Sequence, residues 1–445
     1  MKLAFSRRAT SSSSKSALCA VTSVYPRPWP LSNPLAPASK IVHSWWRCDH
    51  LPDRLAFVHG TLITDAGPIA DSLLLTEGSR ITYAGPWSEI PPGATLIDAT
   101  GLNVSPGFID IHIHGGDGSD FMDATAEDVD RVFAFHARHG VTALCPTTAT
   151  AKREEILACL DAINAYRGRG DRFGRALGAH IEGPYLCQSK RGCHLPEHVR
   201  NPIEAEWREL LEHGPIATMT LAPELPGARP LIEALRRQGA IPSVGHSEAL
   251  YHEIVEALDW GASHATHLYC AMTDAMNNRW RGTPNPRSAG IVEAVYLEER
   301  LSSELITDGK HLSKEMMILA LRNKGYEKLA IISDAMRGAG MPDGEYTFGP
   351  RHGMVAVVKD REARIPDGTA LASSVYAMDE MVRVFRDATG VPLWQAIRMA
   401  SLTPAEILGV DDELGSLRPG KAADLILLDD ACNVHGTWIA GQKVH

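Results

Sequence analysis

Between Val104 and about Ala400 the sequence alternates short β-type segments with helix-like stretches, and this alternation restricts the fold more than any other feature. Strands joined through helices run parallel, because each helix carries the chain back along the sheet before the next strand begins. Eight segments fit the pattern: Phe108–His112, Thr142–Cys145, Leu177–Ile181, Met219–Ala222, Ile241–Val244, His264–His267, Leu305–Thr307 and Leu329–Ser333. The spacing predicts helices over Glu127–His139, Arg153–Tyr166, Glu248–Trp260 and Ser313–Lys324. Eight such units close into a (β/α)8 TIM barrel. After the eighth strand, Gly344–Thr369 is punctuated by Gly and Asp and is expected to form a hairpin excursion.

The flanks differ from this pattern. Leu55–Val58, Leu73–Leu75 and Ile81–Gly85 suggest a small sheet before the barrel, and Asp424–Leu428 and Thr437–Ala440 return to strand character after it. Residues 1–53 stand apart from both. From Met1 to Cys48 there are seven Lys/Arg and no acidic residue, with a run of four serines and a proline cluster at Pro26–Pro30. This composition buries too little apolar surface to order itself. A disordered tail or an early-assigned start ranks ahead of an organelle transit peptide, and Ala17–Val21 is too short for a secretory signal.

Charge and composition narrow the partners. The chain of 445 residues carries 44 Lys+Arg against 54 Asp+Glu, a net charge of −10, so no basic stripe argues for nucleic acid. No apolar run approaches the roughly 20 residues that span a bilayer, which argues against a membrane protein. The eight cysteines form no CxxC pair, unlike a disulfide scaffold or zinc ribbon, and fit a cytoplasmic protein.

Catalytic groups of a barrel collect where its strands stop. Here the first strand ends in His112-Ile113-His114, whose alternation turns both imidazoles to one face. The third ends in Glu182 after His180-Ile181, the fifth in Gly245-His246-Ser247, the sixth in Thr266-His267 and the eighth in Ser333-Asp334. Each feature alone is weak: an isolated HxH is usually incidental, and an Asp before a loop is usually a turn residue. Together they fall in register at one end of one barrel. Imidazole and carboxylate are the donor set of Zn2+ or a similar ion with a position open to water. A divalent ion lowers the pKa of bound water to about 7 and polarises a carbonyl, while Asp334 is a candidate to take the water proton and deliver it to a leaving group. Glu182 could hold one ion or bridge two, with His112 and His114 at the second site. Gly338-Ala339-Gly340 lacks the context of a dinucleotide site.

Several segments carry a resemblance: Ser105–Gly115 around the HxH, His180-Ile181-Glu182-Gly183-Pro184, Lys190-Arg191-Gly192-Cys193-His194, Gly245-His246-Ser247, Ala265–Tyr269, Thr307–His311 and Ser333-Asp334-Ala335. From Leu55 to His445 the chain resembles the amidohydrolase superfamily and, within it, the N-acetylglucosamine-6-phosphate deacetylases. The resemblance implies a barrel over 105–400 with a small β-sandwich domain built from 54–104 and 401–445, the segment Gly415–Leu425 leading the return. It implies metal-dependent removal of the acetyl group from an N-acetylated hexosamine 6-phosphate, with the gluco, galacto or manno configuration open. Glu182, His246 and His267 would hold the main ion and His112 and His114 a second, one or two Zn2+ per subunit in all. Asp334 would act as general base and then acid, and His194 and His311 would contact the substrate. A homodimer is implied as well.

Two departures bear on the phosphate. Where the family reads Asn-Ala-Met after the sixth strand, this chain has Cys270-Ala271-Met272, and the family's phosphate-binding Arg is replaced by a stretch from Asn278 to Ser288. Arg279, Arg281 or Arg287 could bind phosphate bidentately there, alongside Cys270 and Ala271. The alternative functions are an N-acetylgalactosamine-6-phosphate deacetylase, an amidohydrolase acting on another N-acyl substrate, and a non-catalytic barrel. The presence of every ligand residue argues against the last.

Overall fold

All eight expected barrel strands are present in the computed structural model, which describes residues 54–170, 172–275 and 287–445. The leader at 1–53 and the candidate residues Arg279 and Arg281 lie outside the described residues. The barrel strands are Phe108–Ile113, Val141–Thr148, Ala179–Glu182, Ile216–Leu221, Ile241–Val244, His264–Ala265, Ser302–Ile306 and Leu329–Ile332, each parallel to its neighbours. They read as apolar runs because helices cover the outer face and packed side chains fill the inner one; all four residues of Leu329–Ile332 are buried. A helix follows each strand, as in Ala126–Arg138, which buries Val129, Val132 and Phe133 and is capped by the Thr125 hydroxyl accepting from Asp128 N (3.1 Å).

The ring closes between the eighth strand and the first. Asp334 N donates to His112 O (2.9 Å) and His114 N to Ala335 O (2.9 Å). Beneath them the Ser333 hydroxyl donates to Asp110 (2.5 Å). Burial pushes the Asp110 carboxyl up to about 7, against the hydrogen bonds it accepts from Ser333 and from His112 N.

Three differences from the sequence-based expectation bear on the site. The sixth strand stops at Ala265, because the backbone turns out of the sheet and His267 adopts a positive φ. The seventh begins at Ser302, which brings Glu304 inside it. The excursion after the eighth strand is a three-stranded antiparallel meander, Gly344–Phe348, Met354–Lys359 and Glu362–Arg364, rather than a hairpin.

The strands at both ends of the described chain share one sheet, in the order Gln442–Lys443, Val434–Ile439, Leu425–Leu428, Asn103–Pro106, Arg54–Thr64, Gly67–Glu77 and Arg80–Pro86, with Thr95–Asp98 also on Arg54–Thr64. Strand alternation sends Leu55 and Phe57 into one apolar cluster with Leu425 and Trp438, and Ala56 and Val58 into another with Leu73. This is the expected small β-sandwich. Asn103–Pro106 pairs with Leu425–Leu428 and leads directly into the first barrel strand. Among the described residues no helix is long and apolar enough to cross a membrane.

Candidate active site

At the C-terminal end of the barrel, one carboxylate stands at the centre of a ring of imidazoles. Glu182 Oε1 lies 3.3 Å from His112 Nε2, 3.2 Å from His246 Nε2 and 3.3 Å from His267 Nε2. Its Oε2 lies 3.2 Å from His114 Nε2 and 3.1 Å from His194 Nε2. Asp334 Oδ1 is 3.3 Å from His114 Nε2 and accepts from the Ser373 hydroxyl (2.9 Å). All of these groups are buried. His246, His267 and Asp334 reach the centre from left-handed backbone, with φ of 49°, 27° and 44°. Such conformations cost roughly 1–3 kcal/mol each and persist where the surrounding structure enforces them. Gly183, next to Glu182, also has positive φ, and a Cβ there would lie 2.2 Å from the Thr150 hydroxyl, so this turn needs glycine.

The hydrogen bonds on the far side of each ring decide what its Nε2 can do. His112 Nδ1 meets Glu304 Oε1 at 2.7 Å and His246 Nδ1 meets the Lys190 carbonyl at 2.7 Å. Each Nδ1 therefore carries the proton, and each Nε2 directs a lone pair at the centre. His194 is the opposite. Its Nδ1 accepts from Thr150 N (3.2 Å), so the neutral ring carries its proton on Nε2 and points a donor inward. Burial, partly offset by Glu182, holds the His194 pKa down at about 4, which keeps the ring neutral. Glu182, His194 and His246 offer donor atoms within 4.8 Å of one another, as do His112, His114 and Glu182. The tautomer nonetheless makes His194 a hydrogen-bond donor and not a ligand.

A cation fits this arrangement. The Nε2 atoms of His112 and His114 make no hydrogen bond although both face Glu182, and the Nε2 atoms of His246 and His267 converge to 3.0 Å. Lone pairs do not gather around a carboxylate unless positive charge lies between them. Burial opposes charge on His112 and His114, yet Glu182 and Glu304 hold His112 well above the usual histidine range, and the Asp334 and Glu182 carboxylates beside it lift His114 to about 9. The pocket favours positive charge at the position where a divalent ion would sit.

Above the ring opens a cavity of about 340 Å³ lined by Glu182, His194, His246, His267, His311 and Asp334, with Cys270, Ala271, Ser373 and Phe348 also in its walls. The site candidates His194, His311, Cys270 and Ala271 are thus brought to one space. Burial pushes the Cys270 thiol up to about 12, so it stays protonated. His311 Nδ1 meets Asp308 Oδ2 at 2.9 Å, and the Ser374 hydroxyl donates to the same oxygen (2.9 Å). Arg287 does not line the cavity; it is exposed and donates to the Ala275 carbonyl (3.2 Å).

Two contributors were not anticipated from sequence. Glu304 accepts from His267 N (3.2 Å), meets His264 Nε2 at 3.0 Å and joins these to His112. A charged residue directly before the apolar pair Leu305-Ile306 was the available signal. Phe348 comes from the meander, with its ring 4.8 Å from His114 and 5.4 Å from His194. Arg337 secures that segment, donating to Gly349 O (2.6 Å) and to the buried Asp123 carboxylate (3.0 Å).

Comparison with known proteins agrees with this geometry. The sequence model of the amidohydrolase family matches residues 103–444. The chain is 37% identical over 383 residues to the N-acetylgalactosamine-6-phosphate deacetylase of Escherichia coli O157:H7, covering 86% of this chain and 97% of that one. It is 33% identical over 345 residues to the N-acetylglucosamine-6-phosphate deacetylase of Vibrio furnissii, covering 77% and 83%. The crystal structure of N-acetylglucosamine-6-phosphate deacetylase from Pasteurella multocida matches with a TM-score of 0.81 at 30% identity, covering 88% and 99%.

Proposed function

We infer what this chain does from one premise: it belongs to the amidohydrolase family. It is a metal-dependent deacetylase that hydrolyses the acetamide of N-acetylglucosamine 6-phosphate to glucosamine 6-phosphate and acetate. The observation that carries this reading is the convergence of Glu182, His246, His267 and Asp334 beneath a cavity large enough for a sugar phosphate. Glu182, His246 and His267 would hold the principal ion, with His112 and His114 forming a second position beside Glu182. Imidazole nitrogen and carboxylate oxygen suit Zn2+. When bound, such an ion supplies an acidified water and a polarised carbonyl at neutral pH.

The protein's own groups do the rest. Asp334 is the general base: it takes a proton from water as the new C–O bond forms at the acetyl carbon, then returns it to nitrogen as the C–N bond breaks. Burial opposes its ionisation, but His114 and His112 outweigh that effect and hold its pKa below the ordinary carboxylate value. His194 donates its Nε2 proton into the cavity and, with His311, orients the substrate; Cys270 and Ala271 form the wall beside it. The phosphate is assigned to Arg279 or Arg281, whose guanidinium would grip it bidentately, since Arg287 of the same segment does not line the cavity. The chain is read as a cytoplasmic homodimer, and the six described cysteines, all free, fit a reducing compartment.

The galacto configuration is the second reading, favoured by the 37% identity to the Escherichia coli enzyme. Amine release from both N-acetylhexosamine 6-phosphates and from unphosphorylated N-acetylglucosamine, before and after chelation and Zn2+ return, tests both. Turnover that needs metal and phosphate is expected, and the faster epimer identifies the substrate. No release from any of the sugars by the metal-loaded protein would discard this substrate class.

Glu304 should matter without touching substrate. Glu304→Gln weakens the orientation of His112, and metal affinity should fall by about 10–100-fold, as for other carboxylates that support a ligating histidine. Zinc titration against a chelating dye reads the change, and an unaltered affinity would reduce Glu304 to a packing role.

A further inference from the structure

A second group of metal-type donors stands at the same end of the barrel but outside the cavity. Glu155 lies in the first turn of the helix Arg153–Gly168, after the second barrel strand. His198 ends the short 3-10 turn Pro196–His198 in the connection after the third. His352 sits between the meander strands Gly344–Phe348 and Met354–Lys359, after the eighth. One donor atom from each lies within 4.8 Å of the others. None of the three lines the cavity.

We propose that Glu155, His198 and His352 form an ancillary divalent-metal site, taking Zn2+ or an ion of similar character, distinct from the catalytic centre. Two imidazoles and one carboxylate, with the fourth position left to water, make a donor set that Zn2+ accepts in tetrahedral geometry. The carboxylate is oriented for it: Glu155 Oε2 accepts from Lys152 N (3.0 Å), which leaves Oε1 facing His352 Nε2 at 3.3 Å. An ion pair between His352 and Glu155 would account for those two residues alone, and would leave the approach of His198 from a third segment without a purpose.

The site has a consequence for the cavity. His198 follows His194 by one turn of chain, His352 follows Phe348 across the meander turn, and Glu155 follows Thr150, whose N–H fixes the His194 tautomer. An ion held here would fasten together the three segments that bring His194 and Phe348 to the active centre.

The test uses the metal-loaded enzyme equilibrated against buffered free Zn2+, with zinc per chain measured by elemental analysis. Wild type should hold one zinc more than either His352→Ala or Glu155→Gln, and Zn2+ should raise the melting temperature of wild type beyond that of both variants. His352 is exposed, so its removal leaves the fold intact, and both variants should retain deacetylation at saturating substrate. The zinc remaining in the variants counts the ions of the catalytic centre, so a failure of the catalytic reading registers separately. Equal zinc content and equal melting shifts in wild type and both variants would overturn the proposal and leave Glu155 and His352 as an ion pair.

Discussion

Replacing Asp334 by Asn is expected to lower kcat by at least the ~10²–10⁴-fold attributable to a general acid–base group, with zinc content unchanged. The substitution isolates the proton transfer. Asn keeps the oxygen that accepts from the Ser373 hydroxyl, and Asn is among the residues that best tolerate a positive φ such as the 44° found here. Its amide has no basic lone pair to take a proton from water. His112, His114 and Glu182, which would surround the ion, keep their places. Steady-state kinetics beside elemental analysis reads the result, and turnover within tenfold of wild type at full zinc occupancy would remove Asp334 from the proton path.

Glu182→Gln should fail in a different way. Its carboxylate faces five imidazoles, each within 3.3 Å of one of its two oxygens. Gln preserves the shape and removes the charge, so the surrounding lone pairs lose the anion that makes an ion favourable among them. Zinc affinity should drop by more than the ~100-fold upper range for residues that only support a ligand. Turnover should vanish with the metal although Asp334 is untouched. A Gln variant that kept stoichiometric zinc through dialysis against a chelator would show that the imidazoles suffice and that Glu182 is not a principal ligand.

The order of legibility follows from how far each feature depends on its own stretch of chain. Parallel barrel strands are apolar runs because both faces are covered, so Leu329–Ile332 and Ile241–Val244 could be read directly. The polar residues that interrupt those runs at their ends, His246 and Asp334, were conspicuous for the same reason. Glu304 was missed through a boundary set too late: starting the seventh strand at Leu305 placed its most informative residue in a loop. Phe348 had no local signal, since its contact with His114 depends on how a meander folds back across the barrel mouth. The tautomer of His194 was equally invisible, because the Thr150 amide that sets it lies 44 positions earlier. The residues that gather at the candidate site were therefore legible, while the groups that orient them were not.

The sheet that joins Asn103–Pro106 to Leu425–Leu428 gives the protein a schedule as well as a shape. Chains emerge from the ribosome N-terminus first. The strand Phe108–Ile113, which bears His112 and leads into His114, is thus made before the other barrel strands, yet the partner that anchors the segment leading into it is translated only after all of them. A nascent chain can have every candidate site residue exposed before that anchoring strand exists. Stable acquisition of metal should therefore wait for Leu425–Leu428, and a chain cut before that strand would possess all the candidate ligands and still lack the brace that aligns the first of them.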